Sequence, residues 1–114
     1  MPGKRITLAK EIINNTIPLL DPNNVLGIFG FGSFWLPLKG KVPRDIDMAV
    51  YVINDSQFIE EDRFKIADPL SLFNLPVEFH VLTPYTPMVK NQLKQYKVYL
   101  TNYVQLYGET PNWL

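Results

Sequence analysis

The 114 residues leave room for one domain around one core, expected to span 1–114. A hydrophobic content of 46% against 19% charged excludes a disordered chain, and the balance of 11 Lys and Arg with 11 Asp and Glu gives no support to non-specific nucleic-acid binding, which needs excess positive charge. The absence of cysteine excludes disulfides, thiolate zinc sites and a thiol nucleophile. With no signal-peptide pattern and no apolar run near ~18 residues, the expectation is a cytoplasmic protein with no membrane contact.

Ile6 to Leu20 is predicted to be a helix, because Leu8, Ile12, Ile13, Ile17 and Leu20 recur at helical spacing. Asp21-Pro22-Asn23-Asn24 stops it. Val25 to Phe31 reads as a buried strand ending in glycine, and Phe34 to Pro43 as a loop broken by Pro37, Gly40 and Pro43. Ile46 to Ile53 is a second strand, rich in β-branched and apolar residues. Asn54-Asp55-Ser56 is a turn and N-cap candidate. It precedes a short helix from Gln57 to Ala67, halted before Pro69, with Glu60-Glu61-Asp62 at its positive dipole end. Val77 to Leu82 is a third strand. Pro87 suits the first turn of a C-terminal helix striped by Val89, Leu93, Tyr96 and Leu100. Tyr103 to Tyr107 reads as a final strand before Gly108. The expected architecture is α/β of the α+β kind, a small mixed sheet of three to four strands packed against helices.

Chemistry concentrates in three places. The first strand runs into Gly32-Ser33, where a residue without a Cβ lets backbone N–H groups approach a phosphate and a hydroxyl adds a donor. The second strand opens Asp45-Ile46-Asp47. Residues two apart on a strand point the same way, about 6.6 Å apart along the backbone, so both carboxylates can serve one hard cation or straddle two. In Val77-Glu78-Phe79 the acid lies on the face opposite its apolar neighbours. If the third strand lies beside the second, Glu78 joins the aspartates, and three carboxylates in one place imply a cation.

In this order Phe31-Gly32-Ser33, Asp45-Ile46-Asp47-Met48 and Val77-Glu78-Phe79 resemble the DNA polymerase beta-like nucleotidyltransferase superfamily, most of all its small stand-alone minimal members. The eleven residues between Ser33 and Asp45 suit that family's loop. Many minimal members continue from Gly-Ser with a basic residue and an Ala-Arg-Gly run. Here Phe34-Trp35-Leu36-Pro37 stands there, and Lys39, Lys41 or Arg44 is left to supply positive charge. The resemblance implies transfer of a nucleotidyl group from a nucleoside triphosphate, with one or two Mg²⁺ ions on Asp45, Asp47 and Glu78 and the outer phosphates at Gly32 and Ser33. It also implies a helical protein partner of the kind encoded in paired toxin–antitoxin operons.

Each feature has a plainer reading. The aspartate pair alone is the solvated face of a strand. His80 shares the face of Glu78, but a surface histidine is the simpler assignment. Phe34 and Trp35 can stack on a base, although core or interface is the commoner fate of such residues. An apolar Phe34-Trp35-Leu36-Pro37-Leu38 in a loop predicts an interaction surface, hence a homodimer or a heterologous partner. The alternative function is a non-catalytic nucleotide-binding or protein-interaction module of the same fold.

Overall fold

The computed structural model describes residues 2–86 and 102–113. It contains α1 (Pro2–Thr16), β1 (Val25–Phe31), β2 (Ile46–Val52), α2 (Glu60–Leu70), β3 (Val77–Leu82) and β4 (Val104–Gly108), with short 3₁₀ turns after α1, before α2 and after α2. The helix expected from Pro87 onward lies outside the described residues.

In α1 the buried line is Ala9, Ile13 and Thr16, continued past the helix end by Leu20. Ile6, Ile12 and Ile17 flank it. Leu8, expected on this stripe, is 42% exposed, since it sits one residue and so about 100° around the helix from Ala9. The buried Thr16 hydroxyl donates to the Ile12 carbonyl at 2.9 Å and so carries no unpaired polar atom into the core. The α-helix ends at Thr16 and a 3₁₀ turn, Ile17–Leu19, holding Pro18 near its start, covers the remaining residues.

The helix expected over Gln57–Ala67 is shifted to Glu60–Leu70. Asn54 Oδ1 accepts the Ser56 N–H at 3.0 Å, which closes a separate 3₁₀ turn over Asp55–Gln57. The helix proper then starts behind Ile59, whose N–H donates to the Asp62 carboxylate at 3.2 Å. Pro69 lies inside the last turn rather than beyond it. Near a helix end the missing N–H costs one bond, and Ile66 and Leu70, both fully buried, anchor that turn in the core.

The sheet order is β3-β2-β1-β4. β1 is antiparallel to both β2 and β4, and β2 is parallel to β3. Parallel neighbours need a crossover, and α2 is that crossover. Ile28, Met48, Val50, Phe79 and Val81 face the helices, whereas Phe29, Phe31, Ala49, Tyr51 and Leu82 form a second cluster with Tyr103 and Trp113. On β2 and β3 the second face also receives Asp47, Glu78 and His80, by the alternation of side chains along a strand. Among the described residues no helix is long and apolar enough to cross a membrane.

Phe34 and Trp35 do not form an outer surface. Each is only 1% exposed, part of the cluster under the helices. Trp35 lies flat against Gly30, where an added Cβ would collide with the indole. Phe34 packs edge-on to both Trp35 and Phe73. The loop turns inward because Gly30 leaves a slot one indole wide on that face of β1. The motive for a homodimer through this segment is thereby removed. Pro37 and Leu38 stay outside, Leu38 at 60% exposed.

Candidate functional site

β1 and β2 are neighbours, and their pairing sets Phe31 opposite Asp47. The turn after Phe31 therefore emerges beside the start of β2. Gly32 has φ +78°, the left-handed region, and its carbonyl accepts the Leu36 N–H at 2.9 Å, closing one tight turn over Ser33-Phe34-Trp35. A Cβ at Gly32 would stand 2.6 Å from Asp47 Oδ2. Gly32 thus serves two needs at once, a positive φ and room for the carboxylate.

Gly32, Ser33, Lys41, Arg44, Asp45 and Asp47 line one cleft of about 660 Å³, together with Gly40 and Val42. Lys39 is exposed and is not among the lining residues. Arg5, on α1, steadies the far side of the turn. Its Nη2 donates to the Phe34 carbonyl at 3.3 Å, and the guanidinium lies 4.8 Å from the centre of the Phe34 ring. Nothing in the spacing of the sequence linked Arg5 to a residue twenty-nine positions on.

Asp47 is also part of a second group. The parallel register sets it directly across from Glu78. One ligand atom from each of Asp47, Glu78 and His80 lies within 4.8 Å of the other two. Asp45 is outside this triad but close enough to act on Asp47. Burial first, then the Asp45 charge, then hydrogen bonds that the protonated Asp47 donates to Glu78 and Asp45 push its carboxyl up to about 7. Two neighbouring carboxylates and partial loss of water both disfavour the anion.

Glu78 stands across from Asp47 on the neighbouring strand, but it is not among the residues that line the cleft with Gly32, Ser33, Asp45 and Asp47. His80 was the residue that sequence reasoning left at the surface. Its spacing from Glu78 was visible, but its approach to Asp47 was not. The Phe31 and His80 rings meet edge to face at 5.1 Å. On β2, Ala49 is paired with His80 and Asp47 with Phe31, so the ring contact runs diagonally between these two residues. Strands two apart are about 9.6 Å apart. Ala49 places only a methyl group on its side of that diagonal, which leaves room for the rings to meet.

A mixed four-stranded sheet with helices on one face and an acid row on the other makes this an α+β fold. No protein family and no curated protein matches the chain in sequence. Among solved structures it is similar to the toxin–antitoxin complex MntA–HpeT carrying two Asp-to-Glu replacements, with TM-score 0.56 and 20% identity over 89% of this chain and 74% of that one. It is also similar to a toxin–antitoxin structure containing AMP-PNP, with TM-score 0.53 and 21% identity over 89% of this chain and 74% of that one. At these identities the likeness is one of fold.

Proposed function

We propose that this chain is a metal-dependent nucleotidyltransferase domain that holds a nucleoside triphosphate in the cleft between the Gly32-Ser33 turn and Asp45/Asp47. One observation carries the reading: the glycine turn, two cations and two carboxylates, far apart in sequence, line the same 660 Å³ space. The donor set fits a divalent cation. An Asp47 carboxyl raised to about 7 by burial and then by its acidic neighbours is a group for which a cation can substitute for the proton. Asp45, Asp47 and Glu78 would hold Mg²⁺, which when bound supplies charge neutralisation at the reacting phosphoryl group.

The protein's own groups do the rest. Lys41 and Arg44 offset the triphosphate charge, and Arg44 can do so with two donors at once. Gly32 backbone and Ser33 hydroxyl orient the outer phosphates. An acceptor hydroxyl oxygen attacks the α-phosphorus and forms the new P–O bond. The bond from the α-phosphorus to the bridging oxygen breaks, and pyrophosphate leaves with that electron pair. Glu78, exposed, either completes the metal's ligands while the hydroxyl proton leaves to solvent, or takes that proton itself. The similar structures are toxin–antitoxin complexes, and this supports a protein partner as the source of the acceptor.

The experiment is transfer of label from an α-labelled triphosphate with Mg²⁺, with pyrophosphate measured in parallel. Transfer and pyrophosphate release should both disappear in Asp47→Asn. A second reading, a binding module without turnover, is favoured by the inward fold of Phe34 and Trp35, which among the described residues leaves Lys41 and Arg44 as the cations on the cleft wall. It requires thermal stabilisation by triphosphate that rises with ligand concentration while no label moves.

A further inference from the structure

We propose that His80 makes the acidic end of this site a mixed oxygen–nitrogen centre, which takes a borderline transition cation of the Zn²⁺ or Co²⁺ type in preference to Mg²⁺. The inference rests on reading the cleft as a metal-dependent site, and concerns which metal.

Three observations meet at His80. First, its imidazole nitrogen, an Asp47 oxygen and a Glu78 oxygen fall within 4.8 Å of one another. Ligand atoms on one tetrahedral cation, each about 2.1 Å from it, lie about 3.4 Å apart, so the set closes by drawing in by roughly an ångström. Second, the three residues stand on two hydrogen-bonded parallel strands. Asp47 faces Glu78, and His80 follows two residues on along the same face. Rigid strands hold a ligand set better than loops do. Third, the imidazole has a fixed support. Phe31 meets it edge to face at 5.1 Å, on the diagonal where Ala49 leaves room.

The chemistry of the set decides the metal. Mg²⁺ prefers oxygen donors and keeps its waters, and an imidazole offers it little. Zn²⁺ and Co²⁺ bind imidazole nitrogen well and stand above Mn²⁺ in affinity for a given site. Two carboxylates and one neutral imidazole balance the charge of a divalent ion. Three protein ligands also leave a coordination position open for a phosphate oxygen or water, as in catalytic rather than structural zinc sites. Asp45, outside the triad, remains available to an oxygen-only ion beside it.

His80 is the chain's single histidine, so a Co²⁺ titration of the intact protein reads it directly. The proton NMR spectrum of the Co²⁺-loaded protein should show hyperfine-shifted imidazole resonances, and Zn²⁺ should displace them. In His80→Gln the Co²⁺ and Zn²⁺ affinities should fall roughly tenfold or more, with Mg²⁺ affinity changed less than about twofold. Co²⁺ bound without shifted imidazole resonances overturns the proposal, and that measurement needs no variant. An unchanged Zn²⁺-to-Mg²⁺ preference in His80→Gln overturns it as well. Mg²⁺-dependent triphosphate binding in either of those cases leaves the nucleotidyltransferase reading standing. A protein that binds none of these cations loses both.

Discussion

Gly32 and Asp47 occupy one space. The carboxylate Oδ2 stands where a Gly32 Cβ would come within 2.6 Å, and Gly32 holds φ +78°. Gly32→Ala meets backbone strain and a displaced carboxylate together. It should destabilise the fold by about 1–3 kcal/mol in urea melts and weaken divalent-cation binding. The two defects separate in a double-mutant cycle with Asp47→Ala, which removes the clash and leaves the backbone strain. Additive losses in that cycle would show that the two residues do not compete.

Stability without metal should fall as pH rises from about 4 to about 7. The unfolded chain holds the Asp47 proton to its ordinary value of 3.8, the folded chain to about 7. Between the two, the folded state binds more protons, so each step up in pH costs folding free energy, and the loss levels off above 7. Denaturant melts from pH 4 to pH 8 give the profile. Asp47→Asn should remove this falling limb. Cation affinity should run the opposite way, rising with pH through 7 because the cation displaces the same proton. A profile that rises over this window contradicts the placement of the three acids.

Trp35→Ala should cost about 3–5 kcal/mol, the ordinary loss for a large aromatic removed from a core, because the indole is 1% exposed. Gly30→Ala should act in the same direction, since its methyl group would occupy the indole's place. Neither should act through association. Light scattering across concentrations should give the same oligomeric state for the wild type and Leu38→Ser, whose surface position predicts a change within about 0.5 kcal/mol.

Arg5→Met should cost about 1–3 kcal/mol, since it removes a charged donor to the Phe34 carbonyl and the cation from the Phe34 ring. Because that carbonyl lies two residues past Gly32, triphosphate affinity should fall as well. Arg5→Lys should restore the charge over the ring but only part of the affinity, as Lys lacks the planar fork. Calorimetric titration distinguishes this from a uniform loss of stability.

Much of the fold was legible in local pattern. The limits of β1 and β3 and the turn chemistry at Asn54 follow from β-branched runs and from residues that favour turns, and such preferences act over a few residues. The acid spacing in Asp45-Ile46-Asp47 and in Val77-Glu78-Phe79 likewise assigns each carboxylate to the face opposite its apolar neighbours, because alternation along a strand is a property of the backbone alone. Which acids meet was not settled by these patterns. Asp47 faces Glu78 because α2 carries the chain back to lay β3 parallel to β2 in one register out of several. His80 joins them from the same face of β3, two residues past Glu78, with the Phe31 ring edge-on beside it. Phe34 and Trp35 turn inward because Gly30, four and five residues earlier, opens a slot on β1. Local preference thus specifies most strands and the chemical character of each face. Membership of the site depends on packing, since strand register, empty volume beside small residues and the loss of water around Asp47 arise when distant segments come together.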